Sequence, residues 1–209
     1  MLGNLKKWTL VGLVMLSASA SAYSAPKTVL VLGDSLSAEY GLARGQGWVS
    51  LLESKLKAEK IDVKMVNASI SGETTAGGRT RLPQLLRLHK PDVVVIELGA
   101  NDGLRGQPVP AAEANLRAMI EASQQNKARV LLVGMRMPPN YGRDYTERFF
   151  GMYAQLSTTF KAPLVPFMLE GVADKPKLFQ ADRLHPNADA HPIILANIWP
   201  AFVALVKAK

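Results

Sequence analysis

Five residues able to share a reaction stand at breaks in the apolar pattern of this 209-residue chain: Ser35, Gly72, Asn101, Asp182 and His185. A serine hydroxyl is a weak nucleophile until a base takes its proton. An imidazole does so when a carboxylate fixes its tautomer. The loop Asp182-Arg183-Leu184-His185-Pro186 offers both groups at i and i+3, so the carboxylate can turn back to Nδ1–H and leave Nε2 free for Ser35. A developing oxyanion then needs donors. Gly72 can bring a bare backbone N–H close, Asn101 its side-chain amide, and Ser35 its own N–H. Each residue also has an ordinary structural use: Ser35 as a helix cap, Gly72 as a turn glycine, Asn101-Asp102-Gly103 as a turn, Asp182 and His185 as a surface cap and a solvated imidazole. Their order along the chain, each close after an apolar run, is what joins them.

Those runs predict the elements that must hold them. Thr28-Val29-Leu30-Val31-Leu32 is continuously apolar and stops at Gly33-Asp34-Ser35, the pattern of a strand buried on both faces of a parallel sheet. Ligands of such sheets bind beyond the carboxyl ends of the strands, where Ser35 would stand. Further strands are expected at 63–66, 93–98, 129–134 and 164–167. Helices are expected at 48–57, 75–88, 111–125, 145–160 and 188–206, with Pro83 near a helix start or at a kink and bends at Pro192 and Pro200. Residues 135–142, with Pro138, Pro139 and Gly142, form a loop. Strand and helix alternate five times, which predicts an α/β fold: three layers, α/β/α, around a five-stranded parallel doubly wound sheet.

Residues 1–22 are set apart from the fold. Lys6 and Lys7 precede a short apolar stretch at 10–16 and a small-residue zone, Ser17 to Ala22, the pattern of a cleaved secretory leader. The apolar stretch is far short of the roughly 20 residues a membrane span needs. Cleavage after Ala22 fits best, with Ser24 close behind, leaving 23–209 as one domain. The expected product is exported, periplasmic or secreted, and soluble. The formal charge of +8 is scattered and forms no basic run, which argues against a nucleic-acid partner. With no cysteine, the chain has neither disulfides nor a lipidated N-terminal Cys.

The segments resemble the four blocks of the SGNH (GDSL) hydrolase superfamily: Gly33-Asp34-Ser35-Leu36-Ser37, the glycine Gly72, Gly99-Ala100-Asn101-Asp102, and Asp182-Arg183-Leu184-His185-Pro186. Residues 67–78, 96–106 and 138–142 are similar to the bacterial TesA-type subgroup. Its members are multifunctional periplasmic or secreted esterases, called acyl-CoA thioesterase I, protease I or lysophospholipase L1. The resemblance runs from Thr28 to Trp199. It implies a flavodoxin-like SGNH fold, with Ser35 as nucleophile, His185 as base, Asp182 as orienting acid, and Ser35, Gly72 and Asn101 as oxyanion donors. It also implies a mobile loop at 103–108, with the acyl chain lying along Gly103, Leu104, Arg105 and Gly106 toward Pro138 and Tyr141.

The other candidates have plainer expectations. His89 is expected at a helix end facing solvent, and His191 lacks the aspartate that precedes His185 by three residues. Asp34 and Asp102 are expected to bond nearby loops rather than act as catalytic acids. Met135, Met137, Phe149, Phe150 and Met152 suit the core or an acyl pocket. No metal-ligand spacing, P-loop or Gly-x-Ser-x-Gly elbow occurs, so neither cofactor nor metal is implied. The expected activity is hydrolysis of acyl esters and thioesters: aryl esters, lysophospholipids and acyl-CoA. The partner would be a small acyl ester or lipid, met by a monomer with at most transient membrane-surface contact. A carbohydrate O-deacetylase on the same triad, or a periplasmic binding protein without catalysis, are the alternatives.

Overall fold

The apolar run after residue 27 forms the centre of the molecule. The computed structural model describes residues 26–208; the expected leader and its cleavage zone lie outside the described residues. Strand β1 (Lys27–Gly33) pairs in parallel with β2 (Val63–Asn67) on one side and β3 (Val93–Glu97) on the other. Strands β4 (Arg129–Val133) and β5 (Leu164–Val165) continue the sheet in the order β2-β1-β3-β4-β5. Val29 to Leu32 and Val93 to Val95 are fully buried, as strands covered on both faces must be. The chain leaves β1 toward β2 and returns to β3 on the other side. The carboxyl ends of β1 and β3 therefore flank the switch point where such sheets bind ligands.

Helices cover both faces. Helices α1 (Trp48–Ala58) and α6 (His191–Lys207) pack together on one side; α2 (Thr75–His89), α4 (Val109–Gln125) and α5 (Arg143–Phe160) pack on the other. The three-layer α/β/α fold with five parallel strands is thus as the alternation predicts. With the turn before it, α6 is long and apolar enough to cross a membrane by length and composition. Ile194, Ile198 and Phe202 are nevertheless buried in the core beside α1, β4 and β5, which accounts for its apolar character.

Several boundaries differ from the sequence expectation. Asn101-Asp102-Gly103, which taken alone suits a turn, lies within a short helix α3 (Ala100–Leu104). Pro83 lies in the interior of α2 on its exposed side, where a missing N–H faces water rather than core. Pro192 sits in the first turn of α6, a position needing no N–H partner. Strand β5 is two residues long, which frees Phe167 for the loop beyond it.

Candidate active site

Ser35 heads a turn directly after β1, and two consequences of that position shape the site. In the sheet register Gly33 faces Glu97, whose Oε2 would lie 2.7 Å from a Cβ added at 33, so only glycine fits there. The turn is then closed from within: Asp34 Oδ1 accepts the Leu36 N–H at 3.0 Å, and Ser37 Oγ donates to Glu97 Oε2 at 2.7 Å. The Trp48 indole N–H donates to Ser37 Oγ at 3.1 Å. Ser35 is held on a turn whose neighbours 34 and 37 are buried while its own hydroxyl lines a cavity.

The loop between the last two helices brings the imidazole to it. Ser35 Oγ lies 3.0 Å from His185 Nε2, and Nδ1 lies 2.7 Å from Asp182 Oδ2. The other oxygen of Asp182 accepts the backbone N–H of Leu184 and of His185, at 2.9 and 3.0 Å. These bonds, with that to the His185 ring, hold the carboxyl at about 2, below the usual carboxylate range. Asp182 thus stays ionised throughout the range in which an imidazole exchanges protons, and His185 is fixed with Nδ1 protonated and Nε2 turned to the serine.

Gly72 and Asn101 border the same cavity. Gly72 adopts φ +78°, which L side chains rarely take, and its N–H meets no protein acceptor among the described residues; neither does that of Ser35. Asn101 differs from the simple expectation. Its Nδ2 donates to Asp34 Oδ2 at 3.1 Å and to the Glu73 carbonyl at 3.0 Å, so both hydrogens have protein partners in this state. Asp102 accepts from the N–H and hydroxyl of Thr75, at 2.9 and 2.6 Å, and so caps α2. Asp34 and Asp102 thus serve the loops, as expected.

Beneath the serine turn Asp34 is paired with a second carboxyl group, Glu97, to which the sequence pattern assigns no role. Glu97 is 2 % exposed and Asp34 1 %. Burial pushes Asp34 up to about 6, and burial together with the Asp34 charge pushes Glu97 well above the usual range. The signal for Glu97 was a lone acid closing an otherwise apolar strand. Its partner Ser37 sits 60 residues away, which no local pattern reveals.

The cavity, about 680 Å³, is of ligand-site size. Ser35 and His185 stand at its edge, and Leu104, Met135, Met137, Pro138, Phe167 and Leu169 give it an apolar wall. Of the six expected acyl-contact residues only Leu104 and Pro138 reach it. Gly103 is buried against Met137, and Gly106 borders a separate cavity between α4 and α5. Arg105 Nη2 is spent on the Gly72 carbonyl at 3.0 Å, and the Tyr141 hydroxyl on the Leu104 carbonyl at 3.0 Å. Arg105 and Tyr141 thus brace the loop, and none of the four lines the cavity. Met135 and Met137 are both core and lining, Phe149 is core alone, Met152 is core and borders the separate cavity between α4 and α5, and Phe150 lies half-buried under the Arg136 guanidinium.

Among the lining residues that the sequence pattern does not single out are Tyr40, whose ring centroid is 4.4 Å from that of His185, Arg136, and Arg183. Arg183 was visible only as one of the variable positions of Asp-x-x-His. His89 ends α2 half-buried rather than facing solvent. His191 is buried and accepts the Trp48 backbone N–H on Nδ1 at 3.0 Å, far from catalytic use.

Comparisons with known proteins show the family of the chain. Residues 31–193 match the model of the GDSL-like lipase/acylhydrolase family. The chain is 47 % identical to esterase TesA of Pseudomonas aeruginosa, over 94 % of this chain and 96 % of that protein. It is 43 % identical to thioesterase 1/protease 1/lysophospholipase L1 of Escherichia coli K12, over 91 % and 90 %. A crystal structure of TesA superposes with a TM-score of 0.84 at 49 % identity, covering 86 % of this chain and 99 % of that one. The sequence and the fold are therefore shared with enzymes named for ester hydrolysis, and the chain is an ester hydrolase belonging to the GDSL-like lipase/acylhydrolase family.

Proposed function

We propose that the chain hydrolyses acyl esters and thioesters through an acyl-enzyme on Ser35. The observation that carries this reading is the continuous series of contacts from Asp182 through His185 to Ser35, at 2.7 and 3.0 Å. Ser35 Oγ attacks the acyl carbonyl while His185 Nε2 takes its proton. The carbonyl oxygen becomes an oxyanion facing the N–H groups of Ser35 and Gly72. Asn101 joins them by turning one hydrogen from Asp34 or Glu73 to the oxyanion. His185 then gives its proton to the leaving oxygen or sulfur, and the acyl-enzyme remains. Water attacks next, deprotonated by His185, and the acid departs as Ser35 regains its proton.

The apolar wall of the cavity supports an acyl chain longer than acetyl, favouring this over deacetylation of carbohydrates. The names of the relatives support aryl esters, lysophospholipids and acyl thioesters as the classes to try. With the leader-like residues 1–22, we read the chain as an exported monomer for which ester or lysophospholipid hydrolysis outweighs that of cytosolic acyl-CoA. Steady-state rates on p-nitrophenyl esters from acetate to laurate test this. Turnover is expected to rise beyond acetate, and Asn101→Ala is expected to lower kcat by about 100- to 1000-fold with little change in KM. Retention of more than about a tenth of the rate by a folded Asn101→Ala would remove Asn101 from the oxyanion site.

A further inference from the structure

Among the described residues the large apolar side chains marked by their exposure are Tyr40 (50 %), Ile70 (48 %), Leu88 (69 %) and Leu184 (46 %). Leu88 lies in the last turn of α2, at the opposite edge of the sheet. The other three ride loops beyond the strand ends, and those loops are tied together. Ile70 N–H donates to the Gly33 carbonyl at 3.1 Å, and the Asn67 amide to the Ser37 carbonyl at 2.8 Å. The Gln180 amide donates to the Tyr40 carbonyl at 2.9 Å, while Tyr40 lies against His185, next to Leu184. Scattered exposed apolar residues are ordinary; a cluster around a cavity mouth calls for a partner.

The same edge is cationic. Arg136 and Arg183 line the cavity, and Arg105 reaches the Gly72 carbonyl beside it. None of the three forms an ion pair among the described residues. Arg136 lies over the rings of Phe150 and Phe167, at 4.0 and 5.5 Å from their centroids. Arg183 adopts φ +57° in the turn that lets Asp182 Oδ1 accept the N–H groups of Leu184 and His185, and its side chain is left exposed at the cavity. Nearby carboxylates offset the charge only in part. Glu73 is paired with Arg81 and Glu97 and Asp102 are buried, which leaves the ionised Asp182, held by His185, and Glu39, held by the N–H groups of Gly45 and Gly47, against three guanidinium groups.

We propose that this edge docks on an anionic phospholipid surface, with Tyr40, Ile70 and Leu184 entering the interface and Arg105, Arg136 and Arg183 meeting lipid phosphates. Charge complementarity and the apolar rim select that partner. A bilayer presents phosphates at one depth and acyl chains just below, and guanidinium groups match phosphate oxygens in pairs. The proposal deepens the hydrolase reading by naming where substrate is met. Docking does not require Ser35 to react, so the two fail separately.

Sedimentation of the purified Ser35→Ala protein with vesicles is the test, using phosphatidylcholine alone or with about one third phosphatidylglycerol. Binding to the anionic vesicles is expected to be at least about tenfold tighter and to weaken as salt rises to about 0.5 M. Ile70→Asp and Arg183→Gln are each expected to lower it about fivefold, whereas Lys127→Gln, at the opposite edge, leaves it unchanged. Circular dichroism confirms that each variant is folded. Equal binding to both vesicles, binding to neither, or an equal loss in Lys127→Gln overturns the proposal. If the wild type still cleaves soluble esters in that case, the mouth takes its substrate from solution.

Discussion

Ser35 owes its setting to two buried carboxyl groups. Asp34 fixes the turn through Leu36 and Asn101, and Glu97 holds it through Ser37 and the Asp34 N–H, at 3.3 Å. Burial raises the affinity of both for protons above that of the unfolded chain, so folding takes up protons. For Asp34, that contribution to stability is full below its ordinary value near 3.8, declines as pH rises, and is lost above about 6. Asp34→Asn removes the titration. The stability of the variant relative to wild type, followed by thermal melts, is expected to climb between about pH 4 and pH 7, by up to roughly 3 kcal/mol if the whole shift is expressed. The variant also loses the bond from Asn101, so the slope with pH is the readout rather than the offset. A flat difference across that range would contradict the assignment. Asp182 works in the other sense: its contribution is present above about pH 4 and is lost only as pH falls through about 2. At this scale the triad was legible, because Asp182 and His185 share a loop and Ser35 follows an apolar run. Glu97 was not, since a buried acid is recognised by its partners and those come from other parts of the chain.

Elements place these residues by capping as much as by packing. Helix α1 begins at Trp48 after Gly47, which has no side chain to cap it; His191, from the start of α6, accepts the Trp48 N–H instead. Burial holds His191 below its ordinary value, which keeps Nδ1 free to accept. His191→Ala strands a buried N–H and opens a void. It is expected to cost about 2–3 kcal/mol, a drop of roughly 4–12 °C by calorimetry, with esterase activity of the folded fraction little changed. A variant as stable as wild type would show that water replaces the imidazole. Helix α3 was missed because its five residues contain Asn101, Asp102 and Gly103, all turn formers. Asp102 caps α2 from within α3, and that tertiary bond outweighs the local preference. Four of the six expected acyl-contact residues lie off the cavity for a related reason. Sequence locates residues 103–108 beside the site but not which side of that loop faces the cavity, and Tyr141 and Arg105 use their polar ends to brace it.

For the whole molecule, the sheet order β2-β1-β3-β4-β5 turns five distant segments into one edge. That much follows from the apolar runs, since parallel strands must be joined by crossing helices and must end on the same side. The cavity wall does not follow from them: Phe167 and Leu169 line it because β5 stops after two residues, a boundary the apolar pattern leaves open. The central claim for the molecule is that this edge makes Ser35 a nucleophile. Incubation with a fluorophosphonate probe, followed by mass spectrometry of the labelled peptide, tests it most directly. A single adduct on Ser35, absent from Ser35→Ala and sharply slowed in His185→Ala, is the predicted result. A folded wild-type protein that takes up no probe, or takes it up on another serine, would contradict it.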